Sequence, residues 1–250
     1  MNCLHPYMAF YDAGDYKVPM MQVPCGRCGP CLKARSAEWA TRLLHEQAYW
    51  SNSSFVTLTY DDDHAPKNMS LDKEALVKFF KRLRKCLAQQ GRTIKYYACG
   101  EYGERYHRPH YHAIIFGLSP KDDEEKVKDC WRFGFVSLGT VTPESCRYVT
   151  NYILKAHEGG IQGKDYGGLE PPFKKSSQGL GKRYVFENEK QLIDKMFITV
   201  NGVKKSLPRY YIKLLGESID IEKMEKMRLE REQQTEGVVH LGRKIGRAHV

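Results

Sequence analysis

The chain has 250 residues, with 40 Lys and Arg against 30 Asp and Glu, which gives a net charge of +10. This length suffices for one large domain with its own core, and a basic surface favours a polyanion such as nucleic acid as partner. On charge alone, a basic protein without such a partner stays open. No apolar run approaches the ~20 residues that span a bilayer, and no secretory signal precedes the chain, so we expect no membrane contact and a reducing cytoplasm.

Apolar spacing and turn residues predict mixed helices and strands. The predicted helices are residues 32–50, a helix capped by Ser70 and ended by Gly91, residues 122–131, and a helix opened by Thr142 and Pro143. The predicted strands are residues 55–60, 93–104, 108–117 and 134–138, the second and third forming an antiparallel hairpin. The elements do not alternate strictly, which predicts an α+β fold with a central antiparallel sheet flanked by helices.

Composition divides the chain into four segments. They are a Cys-rich segment at 1–31, a main domain at 32–215, a charged helical extension at 216–244, and residues 245–250. Within the main domain we expect a Gly/Pro-rich basic loop at 159–183, and SLPRYYIKLLG (206–216) docking on the core. The last segment, IGRAHV, matches a translated sequencing adapter, so we interpret it as an artefact and exclude it from fold reasoning.

Two histidines open an apolar strand in RPHYHAIIFG, residues 108–117. Residues i and i+2 of a strand point to the same face, so His110 and His112 present two imidazoles side by side. Glu101, across the predicted hairpin, is the expected third ligand of a Mg²⁺ or Mn²⁺ ion. Glu104 and His107 are alternatives for that position. A His-x-His pair alone is also compatible with two surface histidines.

Two tyrosines recur at helical spacing in RYVTNYILK. Tyr148 and Tyr152, four residues apart, share one face of the predicted helix, and Lys155 lies on the same face. A phenol beside a metal-bound phosphate is a nucleophile for covalent catalysis. Its ordinary pKa is about 10, so a neighbouring lysine or metal must favour the phenolate. Two tyrosines that merely pack on a sheet remain the alternative.

The cysteines in PCGRCGPC are compactly spaced. Cys25, Cys28 and Cys31, together with Cys3, can complete a four-thiolate structural zinc site. Position 35 is Arg35 rather than the next cysteine of an iron–sulfur run, which disfavours that cofactor. Reduced thiols without a metal stay open as the alternative.

Basic residues near aromatic ones indicate where single-stranded DNA binds. The candidates are Arg105, Arg108, Lys174, Lys175, Lys182 and Arg183. The first two flank the histidines, and the others lie in the predicted basic loop, for which a solvated loop without DNA is the alternative.

Taken together, four stretches resemble the HUH endonuclease superfamily and, more narrowly, the replication initiator proteins of small single-stranded DNA phages, the gokushovirus-like microviruses. The stretches are PCGRCGPCLKARSAEWATRL, FVTLTY, YACGEYGERYHRPHYHAIIFG and YVTNYILK. The resemblance implies a nicking domain at 32–215 that acts in the cytoplasm of a bacterial host. It also implies that a tyrosine attacks the origin phosphate and stays joined to the 5′ end. Viral origin DNA, a host helicase and a host DNA polymerase would be the partners.

Two further functions remain. One is a non-enzymatic zinc-containing DNA-binding regulator, in which the histidine pair is incidental. The other is a plasmid or transposon initiator of the same superfamily, which shares the chemistry and differs in its DNA target.

Overall fold

The computed structural model describes residues 3–12, 17–158, 166–200, 202–219 and 226. The chain forms two compact units, residues 1–181 and 182–250. Among the described residues, no helix combines the length and the apolar character that crossing a bilayer demands.

The first unit holds seven strands and four helices within its described residues. The strands are β1 (Tyr7–Asp12), β2 (Lys17–Val23), β3 (Ser53–Thr59), β4 (Lys95–Tyr102), β5 (Pro109–Phe116), β6 (Val136–Thr140) and β7 (Phe173–Ser176). The helices are α1 (Gly29–Gln47), α2 (Lys73–Ala88), α3 (Glu124–Trp131) and α4 (Pro143–Glu158).

Five strands form an antiparallel sheet in the order β6-β3-β5-β4-β7. The predicted α+β class is confirmed, and so is the hairpin of β4 and β5, in which Glu101 faces His110 directly. FVTLTY forms β3, an interior strand, whereas the centre of the sheet is β5, the histidine strand.

Helices cover both faces of the sheet, and each face has its own apolar core. On one face α2 packs through Phe79 and Leu83 against Tyr111 and Ile115. On the other face α1 and α4 pack through Leu43 and Val149 against Tyr97, Ile114 and Phe116. Because side chains alternate along a strand, β5 is apolar at every position from 113 to 116. The same alternation places both histidines on the face that α1 and α4 cover.

The helix starts were predicted unequally well. Thr142 caps α4 as expected, since its Oγ1 accepts a hydrogen bond from the Ser145 amide at 3.2 Å. Ser70 was the wrong cap for α2. Asp72 caps it instead, accepting from the amides of Glu74 and Ala75 at 2.7 and 3.0 Å, because a carboxylate at the N-cap position satisfies two otherwise unpaired amides.

Two segments expected to be loops contain strands. The N-terminal segment holds the β1–β2 hairpin, whose register shifts between Ala9 and Phe10, next to the partner Pro19. Proline argues against a strand because it cannot donate to the ladder, and the irregularity here accommodates it. In the predicted 159–183 loop, Phe173–Ser176 forms the edge strand β7, paired with β4. Residues 159–165 lie outside the described residues.

The second unit has a core of its own. Its elements are α5 (Lys182–Glu187), α6 (Glu189–Lys195), β8 (Phe197–Val200), β9 (Val203–Ser206), α7 (Arg209–Leu215) and a 3-10 turn at Gly216–Ser218. SLPRYYIKLLG supplies α7, whose Tyr211 and Leu215 are buried in that core. The predicted main domain, 32–215, therefore spans the boundary between the two units. Of the predicted extension at 216–244, only 216–219 and 226 are described, and residues 245–250 lie outside the described residues.

Candidate active site

Glu101, His110 and His112 converge at one end of the β4–β5 hairpin. Nε2 of His110 lies 2.8 Å from Oε1 of Glu101, and Nε2 of His112 lies 3.0 Å from the same oxygen. One ligand atom from each residue falls within 4.8 Å of the other two. The three residues that the sequence nominated for a divalent cation are therefore brought together by strand register.

The two imidazoles are oriented by their second nitrogen atoms. Nδ1 of His110 lies 3.1 Å from the Arg108 carbonyl oxygen, and Nδ1 of His112 lies 3.0 Å from Oγ1 of Thr57. A carbonyl oxygen only accepts, so a neutral His110 donates from Nδ1 and turns the lone pair of Nε2 towards the Glu101 carboxylate. Two electron-rich atoms then face each other, which a cation or a second ring proton must reconcile.

The buried Nε2 of His112 supports a cation at this place. It lies close to the Glu101 carboxylate without the alignment of a hydrogen bond, and within the described residues it has no hydrogen-bond partner. A buried nitrogen without a partner is costly, whereas a metal ion would satisfy it. Two imidazoles and one carboxylate suit a divalent transition metal such as Mn²⁺ and leave open positions, so the residues present fit the expected ion.

Glu101 is ionised in this setting. Burial opposes ionisation, but the hydrogen bond from His110 and the proximity of His112 outweigh it and lower the pKa of the Glu101 carboxyl below its ordinary value. The carboxylate therefore supplies a negative charge between the imidazoles at neutral pH.

The alternative ligands lie apart from this trio. Glu104 and His107 occupy the turn between β4 and β5 and do not belong to the group of converging ligand atoms. The acidic turn after β3 is engaged elsewhere: Asp61 binds His64 at 2.7 Å, and Asp62 binds Arg108 at 2.6 Å.

Both tyrosines of α4 lie over the histidine strand. The ring of Tyr152 stacks parallel to His112 with centroids 5.5 Å apart, and the ring of Tyr148 meets His112 edge-on at 5.4 Å. The two tyrosine rings are 4.9 Å apart. Tyr148 is 46% exposed, whereas Tyr152 is 4% exposed. Burial and, secondarily, the hydrogen bond with Tyr148 raise the pKa of Tyr152 above its ordinary value.

Two further contacts hold α4 in place. Oγ of Ser36 in α1 lies 3.1 Å from Oγ1 of Thr150 and 2.9 Å from Oδ1 of Asn151. Phe55 of β3 packs against both His112 and Tyr148, with ring centroids 5.6 and 6.0 Å away. The tyrosine helix is thereby fixed to α1 on one side and to the histidine strand on the other.

The remaining predicted residues are distributed unevenly. Lys155 lies in α4, but its side chain is outside the described part of the chain. Arg108 binds Asp62 and the Tyr60 carbonyl. Lys174 and Lys175 are exposed on β7 rather than in a loop, with the Lys174 ammonium 4.3 Å from the Trp39 ring.

Lys182 and Arg183 open α5 in the second unit, so they are helical rather than in the predicted loop. Lys182 lies 5.3 Å from the Phe186 ring, and Arg183 pairs with Glu187 at 2.6 Å within the helix.

Sequence reasoning missed three residues of the first unit: Thr57 and Phe55, which touch His112 as described, and Tyr106 at the tip of the β4–β5 hairpin. Tyr106 is 69% exposed, and the guanidinium of Arg105 lies 5.1 Å from its ring. The signal in the sequence was an aromatic residue directly beside Arg105, a pairing suited to stacking on a nucleic-acid base.

The four N-terminal cysteines also converge. Their Sγ atoms all lie within 4.8 Å of one another. The Leu4 amide lowers the pKa of the Cys28 thiol to about 6, whereas burial and the neighbouring thiols raise the pKa of Cys31 to about 12.

Comparisons with known proteins agree with this arrangement. A family model for replication-associated proteins of the ORF2 type matches residues 53–157, which include β3, the histidine strand and the tyrosine helix. The replication-associated protein VP4 of Bdellovibrio phage phiMH2K is 31% identical over 84% of this chain and 76% of its own length.

Two more relatives have similar printed names. The replication-associated protein ORF2 of Spiroplasma virus 4 is 33% identical over 82% of this chain and 71% of its own length. The replication-associated protein ORF4 of Chlamydia phage 1 is 31% identical over 84% of this chain and 58% of its own length. No solved structure matches the chain.

Proposed function

The chain belongs to the family of replication-associated proteins of small phages, and from that membership we propose that it starts rolling-circle replication by nicking one strand at the viral origin. The observation that carries the proposal is the pair of tyrosines over a Glu101–His110–His112 group in which both Nε2 atoms lie within 3.0 Å of one carboxylate oxygen.

Glu101, His110 and His112 would hold a Mg²⁺ or Mn²⁺ ion. Such an ion polarises a phosphoryl oxygen and neutralises developing negative charge. Thr57 and the Arg108 carbonyl hold the two rings in the orientation that turns both Nε2 atoms towards Glu101. Outer contacts of this kind fix the tautomer and orientation of metal-binding histidines.

Tyr148 is the first nucleophile in this proposal, because it is 46% exposed and so accessible to DNA. Its Oη forms a bond to the scissile phosphorus, and the bond from phosphorus to the 3′ oxygen breaks. The phenol loses its proton, and the departing 3′ oxygen gains one. The products are a 5′-phosphotyrosine and a free 3′ hydroxyl.

Tyr152 is the second nucleophile, one helical turn further on. It is 4% exposed and stacked on His112, so its hydroxyl is withheld while Tyr148 is free. Once the regenerated origin returns to the site, attack by Tyr152 frees a second 3′ hydroxyl. That hydroxyl then displaces Tyr148 from the first phosphate and closes a circle, so that one phosphodiester forms for each one broken.

Single-stranded origin DNA would approach over the tip of the β4–β5 hairpin. Arg105 supplies positive charge there and Tyr106 supplies an exposed ring, a combination suited to phosphates and stacked bases. Lys174 and Lys175 of β7 add exposed charge along the edge of the same sheet. This edge and the hairpin tip flank β4, which carries Glu101.

A host DNA polymerase would extend the 3′ hydroxyl in the cytoplasm of the bacterial host cell. The sequence contains no G-x-x-x-x-G-K-[ST] nucleotide-binding loop, so we assign strand separation to a host helicase.

Covalent capture on a denaturing gel tests the proposal. Labelled single-stranded origin DNA is incubated with Mn²⁺ and the full chain, as wild type, Tyr148→Phe, Tyr152→Phe, the double variant and His110→Ala. We expect a metal-dependent adduct that Tyr148→Phe reduces more than Tyr152→Phe does, and that the double variant and His110→Ala abolish. Intact DNA binding without any adduct on several origin sequences would favour a DNA-binding regulator instead.

A further inference from the structure

The N-terminal cysteine cluster lies outside the residues that the family model matches, which begin at residue 53, and the proposed nicking reaction does not use it. Cys3 comes from the segment before β1, whereas Cys25, Cys28 and Cys31 come from the turn that enters α1. Residues far apart in sequence are thus brought to one point, since all four Sγ atoms lie within 4.8 Å of one another.

The spacing of the sulfur atoms matches a tetrahedral metal site. With a Zn–S bond of about 2.3 Å, the edge of a tetrahedron of sulfur atoms measures about 3.8 Å. Sγ of Cys28 and Sγ of Cys3 are 3.8 Å apart. A disulfide requires about 2.05 Å, and all four cysteines are free thiols in the structure.

Backbone amides surround the sulfur atoms and favour thiolates. Sγ of Cys25 accepts from the amides of Arg27 and Cys28 at 3.4 and 3.3 Å. Sγ of Cys3 accepts from the Cys25 amide at 3.3 Å, and Sγ of Cys28 accepts from the Leu4 amide at 3.5 Å. Amide donors stabilise negative charge on an acceptor, and thiolate is the form in which cysteine binds a metal.

The local backbone is shaped to wrap around these sulfur atoms. Gly26 has a φ of +71°, a left-handed conformation that glycine adopts without strain. This turn lets the next two amides point back at Cys25. Cys28 is the N-cap residue of α1, and its side chain makes no capping hydrogen bond, so its sulfur remains directed at the cluster.

We propose that Cys3, Cys25, Cys28 and Cys31 bind one structural Zn²⁺ ion. The site is closed, because four protein thiolates complete a tetrahedron and leave no open position. The ion ties the segment before the β1–β2 hairpin to the first turn of α1. Because Ser36 of α1 holds α4 through Thr150 and Asn151, the ion also steadies the helix that carries the tyrosines.

Metal analysis of the purified full chain tests this proposal. After dialysis into metal-free buffer, we expect about one zinc per chain by mass spectrometry of the elements. We expect the same content in His110→Ala, which separates this site from the histidine site. Cys28→Ser should keep less than about one tenth of the zinc, because loss of one thiolate opens the site.

Cys86→Ser is the matched control, since Cys86 is a partly buried cysteine of α2 outside the cluster, and it should keep the zinc. Cobalt added to zinc-stripped wild type should give the visible absorption of tetrahedral cobalt thiolate. The proposal is overturned if wild type holds neither zinc nor cobalt, if iron with visible absorption takes the place of zinc, or if His110→Ala loses the zinc. These readings come from wild type and His110→Ala, so they hold even if Cys28→Ser does not fold. They need no DNA, so they are independent of whether the chain nicks an origin.

Discussion

Asp123 anchors the end of the histidine strand, and its substitution should destabilise the first unit. Its side chain is fully buried at the start of α3 and binds Arg92 through two hydrogen bonds of 2.8 and 2.6 Å. The carboxylate also accepts from Lys126 and from the Ser119 amide, each at 2.8 Å. Arg92 in turn donates to the Gly117 carbonyl at 2.9 Å, immediately after β5. Asp123→Asn removes the charge at nearly constant volume and turns an amide donor towards other donors.

The expected loss of stability follows from this burial. Breaking a buried ion pair costs about 3–5 kcal/mol. The low end, about 3 kcal/mol, applies because the side chains of Arg92 and Lys126 are 33% and 28% exposed and are partly solvated when left alone. For a unit of this size, about 2–4 °C per kcal/mol gives a fall in Tm of roughly 6–12 °C.

Tryptophan fluorescence during thermal unfolding measures the change, since the chain's 3 tryptophans, residues 39, 50 and 131, all lie in the first unit. Asp129→Asn, an exposed change of the same charge in the same helix, is the control and should shift Tm little. Arg92→Met should cost less in the Asp123→Asn background than in wild type, because the pair is coupled. Equal shifts for the two Asp→Asn variants, or additive effects of the pair, would refute the reasoning.

The same carboxylate predicts a pH dependence. Hydrogen bonds from Arg92 hold the pKa of Asp123 well below its ordinary value. A depressed folded pKa stabilises the protein fully above the unfolded pKa, about 3.9, and the contribution is lost as pH falls towards the folded pKa. The Tm difference between wild type and Asp123→Asn should therefore narrow below about pH 4, and a constant or growing difference would contradict the assignment.

Three other substitutions test the site and its support. Thr57→Val removes the partner of His112 and should raise the Mn²⁺ concentration for half-maximal adduct formation by about 10–100-fold, whereas Thr57→Ser should restore it; an unchanged Mn²⁺ requirement would remove Thr57 from the account. Tyr106→Ala should weaken binding of single-stranded DNA by about 1–3 kcal/mol, with Tyr106→Phe near wild type, and equal losses would show that stacking is not the cause. Gly134→Ala should lower Tm strongly, because at a φ of +142° its Cβ would lie 2.2 Å from a backbone nitrogen, whereas Gly139→Ala meets nothing within 4 Å; similar Tm values for both would refute this.

The sheet and its helices were predictable where the apolar pattern was strong. The run of apolar residues in β5 and the helical spacing in α2 each predicted the element that the structure contains. The β1–β2 hairpin was not predictable, because Pro19 interrupts its pattern and a local irregularity in pairing accommodates it. Strand β7 is only four residues long and lies at the edge of the sheet, so it carries too short a pattern to stand out.

The candidate site was predictable to the extent that it depends on local periodicity. Period-two spacing placed the histidines together, helical spacing placed the tyrosines together, and the hairpin placed Glu101 opposite His110. The contacts of Thr57 and Phe55 with His112 arise from pairing between β3 and β5, elements more than 50 residues apart in sequence. The difference in exposure between Tyr148 and Tyr152 depends on how α4 packs over the sheet, which spacing alone does not determine.

The most direct test of the central claim is the site of attachment in the covalent protein–DNA adduct. Wild-type adduct, formed with Mn²⁺ on single-stranded origin DNA, is digested with protease and nuclease, and the remaining nucleotide is located by mass spectrometry of the peptides. We predict a 5′-phosphoryl nucleotide on Tyr148 in the first turnover, and on Tyr152 only when a second origin is supplied. A nucleotide attached to a residue outside α4, or DNA cleaved without any attached nucleotide, would contradict the account.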